Sequence, residues 1–289
     1  MSFKSLQEMV NIEKTANKKF WEVVLEDDIR ESQLTRDEAL SKMRILYLAM
    51  KDADQKYDNH LKSPSQLAGG DGEKIEIALQ KKSMFCGNFI GTVMEKAIKM
   101  GESNACMKRI VAAPTAGSCG VIPAVLLTYE EQNEIEEIKI IEALFVAAGI
   151  GQIIAGRAFI AGSAGGCQAE IGSASAMAAG AMAYLKNGDG ECIINAAALA
   201  LKSLLGLACD PVAGLVEVPC VKRNVIGAVN ALTSADMALA GIRSQIPPDE
   251  VIDAMRFIGN AMPVSLKETG EGGLAVTPTG LLIAERLKE

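Results

Sequence analysis

One histidine, His60, is all the imidazole in this chain of 289 residues, and aromatic side chains make up only 4% of it. A single histidine excludes a His-rich zinc site built from this chain alone and leaves Ser-His-Asp chemistry little to draw on. The shortage of aromatics is set against 49% hydrophobic residues, mostly Ala, Leu, Ile, Val and Met, and 27 Gly. That balance favours closely packed helices over a sheet-rich sandwich. No basic block or basic helix face is present: Lys plus Arg number 29 and Asp plus Glu 36, a net charge of −7. Nucleic acid and anionic membrane are therefore poor partners. The opening run, MSFKSLQEMVNIEKTANKK, carries charge throughout and has no signal-peptide core. The most apolar stretch, residues 143–156, falls short of the roughly 20 residues that a bilayer span needs and reads as a buried helix. A cytoplasmic protein is expected.

Runs alternating with period 2 and repeats at a solenoid period are both lacking, so the expected class is all-α. Residues 1–58 read as a pair of charged amphipathic helices packed on the body. The second of them opens at Thr35, with Glu38 completing a capping box. Residues 59–289 read as the helical body, the two parts making one domain. Helices are expected near 73–81, 88–100, 120–132, 135–156, 169–186, 190–207, 224–244 and 248–261. Polar or Gly-rich loops separate them at 59–72, 113–120, 161–167, 209–214 and 268–273.

Seven cysteines are an odd number for a disulfide framework, and in a reducing compartment they are core filler, metal ligands or reactive thiols. Three stand apart. Cys167 follows Gly165-Gly166 at the start of a helix, Cys209 ends a helix before Asp210-Pro211, and Cys220 follows Pro219 across the same short loop. Free backbone N–H groups at such places stabilise thiolate and cluster charge. Three thiolates suit a four-iron cluster with one iron left open as a Lewis acid. The other reading is that all seven are small core residues; Cys86, Cys106, Cys119 and Cys192 are most simply that, or helix-face residues.

The segments Gly166-Cys167-Gln168-Ala169-Glu170-Ile171-Gly172-Ser173-Ala174 and Cys209-Asp210-Pro211-Val212-Ala213-Gly214, running on through Pro219-Cys220 to Asn224, resemble the signature segments of iron–sulfur L-serine dehydratases. Ala113-Pro114-Thr115-Ala116-Gly117-Ser118 and Glu268-Thr269-Gly270-Glu271-Gly272-Gly273 match further segments of that family, and Leu67-Ala68-Gly69-Gly70-Asp71 does so more weakly. The resemblance runs from about residue 60 to the end and fits the alpha subunit of the two-subunit type. It implies a lyase that converts L-serine to pyruvate and ammonia. Cys167, Cys209 and Cys220 would hold a [4Fe-4S] cluster whose open iron binds the substrate hydroxyl. Substrate-binding candidates are Ser63, Gly69 and Gly70 in one loop, and Thr115, Gly117 and Ser118 in another.

The family's Ser-Ser-His-Thr stretch belongs to the beta part and is not found here, so the resemblance implies a hetero-oligomer with a beta subunit that supplies the general base. Lys222 and Arg223 either balance cluster charge or form a solvated pair. Glu268 reads more as a structural residue than a catalytic one. Where the family reads Asn-Ala-Ser-Ile-Ser-Gly, this chain has Arg157-Ala158-Phe159-Ile160-Ala161-Gly162. Arg157 either holds a second anionic group on the substrate or ends a buried helix, where a cation suits the dipole. The change keeps open a lyase acting on cysteine or an anionic serine analogue. The missing histidine keeps open a non-catalytic redox sensor or partner subunit.

Overall fold

In the computed structural model, which describes residues 3–288, the chain is all-α. Three helices, rather than the expected pair, precede residue 58: α1 (Leu6–Ala16), α2 (Phe20–Ser32) and α3 (Arg36–Gln55). The extra break follows from local chemistry. Asn17 adopts a left-handed conformation (φ 51°) that stops α1. Glu22 then reaches back to the Lys19 N–H at 3.0 Å and restarts the helix. The Thr35–Glu38 box opens α3 as read from the sequence, with Glu38 N–H donating to Thr35 Oγ1 at 3.3 Å and Thr35 N–H to Glu38 at 2.8 Å.

The body continues through α4 (Asp71–Gln80), α5 (Gly87–Ala105), α6 (Val121–Asn133), α7 (Glu137–Arg157) and a single turn, α8 (Gly162–Gly165). It is completed by α9 (Ser173–Leu185), α10 (Gly190–Lys202), α11 (Cys220–Leu239), α12 (Pro248–Ala261) and α13 (Pro278–Arg286). The last of these lies beyond the expected helices. Thr277 caps it by accepting from Gly280 N–H at 3.2 Å, and Pro278 takes its first position.

The centre is α9, whose sequence SASAMAAGAMAYL has little side-chain volume. Helices α6, α7, α10 and α11 all pack on it. A methyl group at Gly180 would meet Ile150 Cδ1 of α7, so the absent side chain lets these two helices cross closely. Helix α7 is 21 residues long, longer than the apolar stretch alone, but most of its apolar window is buried inside the body. The N-terminal helices cover the outside, α2 on α7 and α1 on α10 and α12. Their apolar faces join one continuous core, from Leu6 and Phe20 to Met255.

The loop between α3 and α4 is fixed by carboxylates of the protein itself. Glu102, buried in α5 at 1% exposure, accepts from Gly69 N–H (3.1 Å), Asp71 N–H (2.8 Å), Gly72 N–H (3.2 Å) and the Tyr57 hydroxyl (2.5 Å). The positive φ of Gly69 (122°) and Gly70 (77°) curls these N–H groups around one anion. Glu217 is held in the same way by the Ser63 and Ser65 hydroxyls, at 2.7 and 2.6 Å. Glu102→Ala would leave several buried donors unpaired and is expected to cost about 3 kcal/mol or more. Glu102→Gln, which keeps one acceptor, should cost less. Urea unfolding of the two variants checks this; equal stability of Glu102→Ala and the parent chain would refute it.

Candidate active site

Two of the three distinctive cysteines lie in settings other than those the sequence indicates. Helix α10 ends at Lys202, five residues short of its expected end. Cys209 therefore stands in extended chain, bridged to the 266–268 segment: its N–H donates to Leu266 C=O at 2.8 Å and its C=O accepts from Glu268 N–H at 2.7 Å. Cys220 is the first residue of α11, which begins four residues earlier than expected. Cys167 does precede a helix. The turn after it, Gln168–Gly172, is a π-helical turn that runs straight into α9, a local widening that is frequent at functional sites.

The three segments are stitched together by buried amides. Gln168 Nε2 donates to Gly165 C=O (2.9 Å) and Met255 C=O (3.1 Å), while its Oε1 accepts from Gly206 N–H (2.9 Å). Asn224 Nδ2 donates to Gly117 C=O (2.9 Å) and Cys220 C=O (3.0 Å), and its Oδ1 accepts from Gly120 N–H (2.8 Å). Asn224 thus holds the 113–120 loop to the Cys220 turn, and Gln168 holds the Cys167 turn to the segment that leads to Cys209.

The thiols of Cys167, Cys209 and Cys220 are buried and unbonded to one another. Burial pushes the Cys167 thiol up to about 11, against a partial opposing pull from the Arg223 guanidinium. Burial pushes Cys220 up to about 12, with Cys167 adding to the rise. Cys209 is also raised, by burial first and then by Cys167. Charge on Cys167 disfavours ionisation of both Cys209 and Cys220.

Two carboxylates join them. Glu170, Cys209 and Glu268 offer ligand atoms all within 4.8 Å of one another, a group able to hold a metal. Cys209 Sγ lies 3.9 Å from Glu170 Oε2. Burial raises the Glu170 carboxyl, a Thr115 hydrogen bond lowers it, and the Glu268 charge raises it further. Neither carboxylate has a salt-bridge partner among the described residues. Gly162 forms the back wall: a methyl there would lie 2.8 Å from Glu170 Oε2, 2.9 Å from Cys209 Sγ and 3.1 Å from Glu268 Oε2. The space in front of Gly162 is lined by soft sulfur and hard oxygen donors, a mixture that suits an iron-containing group.

Of the other residues singled out in the sequence, Thr115 and Gly117 belong to this site. Thr115 holds the Glu170 carboxyl down against burial, and a Cβ at Gly117 would sit 3.1 Å from Glu170 Oε1. Ser118 is fully buried and pairs with Thr115 Oγ1 at 3.1 Å. Ser63 is fully buried on Glu217, and the Gly69 N–H faces Glu102, so the donors expected to take a substrate carboxylate already hold internal ones. Arg157 turns to α12, pairing with Asp253 at 2.6 Å and donating to Lys4 C=O at 3.0 Å. Phe159 packs on Gly165 and Gly259. The structural member of the two Arg157 readings is the one these contacts favour.

Lys222 turns outward to Asp71 at 2.6 Å, whereas Arg223 turns inward. Glu268, read as structural, stands in the donor group. Glu170 carried no individual assignment; its spacing of three from Cys167 on a helical start was the available signal. Cys119 and Cys192 are buried, Cys106 is half-buried and Cys86 is exposed at the start of α5. The clefts of about 240 and 260 Å³ elsewhere on the surface are lined by none of the site residues.

A sequence model of the family described as "Serine dehydratase alpha chain" matches residues 15–275. The "Probable L-serine dehydratase, alpha chain" of Bacillus subtilis is 44% identical over 285 residues, 99% of this chain and 95% of that protein. The "L-serine dehydratase, alpha chain" of Peptoniphilus asaccharolyticus is 40% identical over 276 residues, 95% and 94% of the two chains. "L-serine dehydratase 1" of Escherichia coli K12 is 42% identical over 191 residues, 65% of this chain and 42% of that protein. With matches along nearly its whole length, the chain belongs to the serine dehydratase alpha-chain family.

Proposed function

We propose that this chain is the catalytic alpha subunit of an L-serine dehydratase, a cytoplasmic lyase that converts L-serine to pyruvate and ammonia. The observation that supports the reading is the group of Cys209 Sγ, Glu170 and Glu268 facing Gly162, in a chain of the serine dehydratase alpha-chain family. In this reading Cys167, Cys209 and Cys220 hold a [4Fe-4S] cluster. When bound, it supplies a Lewis acid that makes a β-hydroxyl a better leaving group.

The chain's own residues bind and orient. Glu170 and Glu268 present negative charge that suits the α-ammonium of an amino acid and disfavours hydroxy acids without one. The Ala116 and Gly117 N–H groups of the turn that Thr115 opens are the donors for the α-carboxylate. Burial around α9 keeps bulk water from the reacting atoms, which strengthens each of these interactions. Loss of the α-proton and of the β-hydroxyl as water leaves 2-aminoacrylate, whose imine tautomer takes up water and releases ammonia and pyruvate.

The α-proton needs a base near its working pH. His60 is exposed on the loop after α3, its backbone N–H bonded to Asp58. We assign the base to a beta subunit that closes the site.

Iron content separates the ligand assignment from its alternatives. Anaerobically reconstituted Cys167→Ser, Cys209→Ser and Cys220→Ser should each lose the cluster, whereas Cys86→Ser and Cys192→Ser should keep it. A cluster that survives removal of any of the first three would refute the assignment. Gly162→Ala should likewise abolish iron uptake while its circular dichroism stays helical, because the added methyl occupies the space between the donors; normal loading would mean that the group binds elsewhere. Pyruvate formation from serine, measured at matched iron content with and without the beta chain, tests the composite site. The alpha chain alone should turn over at least ~100-fold more slowly in kcat, the scale of a lost general base. Equal rates would put the base within these 289 residues.

A further inference from the structure

We propose that Arg223 is a positioning residue that locks the cysteine-bearing segments together and sets the charge, and so the reduction potential, of the group they hold. The proposal rests on the cluster reading above.

Arg223 lies in the first turn of α11, three residues after Cys220. Its guanidinium forks: Nη1 donates to Ala208 C=O at 2.7 Å and Nη2 to Asp210 Oδ1 at 2.8 Å. Both acceptors flank Cys209, so one planar group fixes the Cys209 segment against the turn that begins with Cys220. The other oxygen of Asp210 accepts from Leu274 N–H at 2.9 Å and draws in the loop that carries Glu268. The guanidinium charge also opposes the burial-driven rise of the Cys167 thiol. A single side chain thereby joins the Cys220 turn to the Cys209 segment and, through Asp210, to the loop that follows Glu268, while its charge is felt at Cys167.

The setting is buried, with Arg223 18% exposed and Asp210 8%. In such surroundings a charge acts strongly on its neighbours. Three thiolates, Glu170 and Glu268 all bring negative charge, and Arg223 is the cation that acts on both Cys167 and Cys220. Added electron density on the bound group is destabilised by the carboxylates and stabilised by the guanidinium. Removing Arg223 should therefore make reduction harder. Lysine keeps the charge but lacks the planar fork, so it should separate the two roles.

The experiment uses the full chain, loaded anaerobically, with Arg223→Gln and Arg223→Lys beside the parent. Three readouts are taken: iron per chain, the rate of iron release to a chelator, and a redox titration followed by electron paramagnetic resonance. For Arg223→Gln the one-electron reduction constant should fall about tenfold, a shift of about −59 mV, and iron release should quicken by about tenfold. For Arg223→Lys the potential should stay at the parent value while release remains fast. If Arg223→Gln folds but takes up no iron and Arg223→Lys loads at the parent potential, the proposal also stands. Parent-like potential and release in Arg223→Gln would overturn it. So would an equal potential shift in both variants, or loss of the helical fold in both, which would make Arg223 a stability residue only. A parent chain that binds no cluster at all would instead refute the reading on which the proposal rests.

Discussion

Helix α9 has so little side-chain volume that α6, α7, α10 and α11 can all lie against it, and its π-helical first turn carries Glu170 directly after Cys167. The crossing with α7 is so close that a Cβ at Gly180 would meet Ile150 Cδ1. Gln168 of that turn holds the segment leading to Cys209 and Glu170 faces the wall at Gly162, while Asn224 of α11 ties the 113–120 loop to the Cys220 turn. Packing density, rather than any one polar contact, is the constraint from which the site geometry follows.

Against that packed centre the molecule concentrates negative charge. Three buried thiols and the Glu170 carboxyl stand where ionisation is costly: burial raises Cys167, Cys209, Cys220 and Glu170 alike, and half-buried Glu268 joins Cys209 and Glu170. Such an arrangement is unfavourable in isolation and becomes favourable when a positive group or a protonated ligand enters. The same imbalance that strains the site is what suits it to an iron-containing group and to a substrate carrying an ammonium. Arg223 offsets part of it, and its own burial is made tolerable by Asp210 and the Ala208 carbonyl.

Elsewhere the fold uses internal carboxylates as pins for loops. Glu102 gathers the N–H groups of the Gly69–Gly72 turn, Glu217 gathers the Ser63 and Ser65 hydroxyls, and Asp210 holds Leu274. Each acceptor is distant in sequence from its donors. The loop after α3 thus reaches the Cys220 turn by way of Glu217, which lies three residues before that cysteine. Loops with a composition suited to an external anion serve here as sockets for the protein's own acids.

By itself the sequence determined what near-neighbour spacing encodes. It set the helical class, the capping box at Thr35, most helix positions in the body, and the family resemblance carried by the segments around Cys167, Cys209 and Cys220. Helix ends at Asn17, Lys202 and Cys220 were less legible, because a left-handed cap or a tertiary bridge such as Cys209 to Lys267 outweighs local propensity. Only the tertiary structure decided which polar groups were already taken. Ser63 finds Glu217 across 154 residues, Arg157 finds Asp253 across 96, and Glu170 meets Cys209 across 39. The path of the chain through space sets these meetings, and for that reason Glu170 and Glu268 entered the site while Ser63, Gly69 and Arg157 were engaged elsewhere.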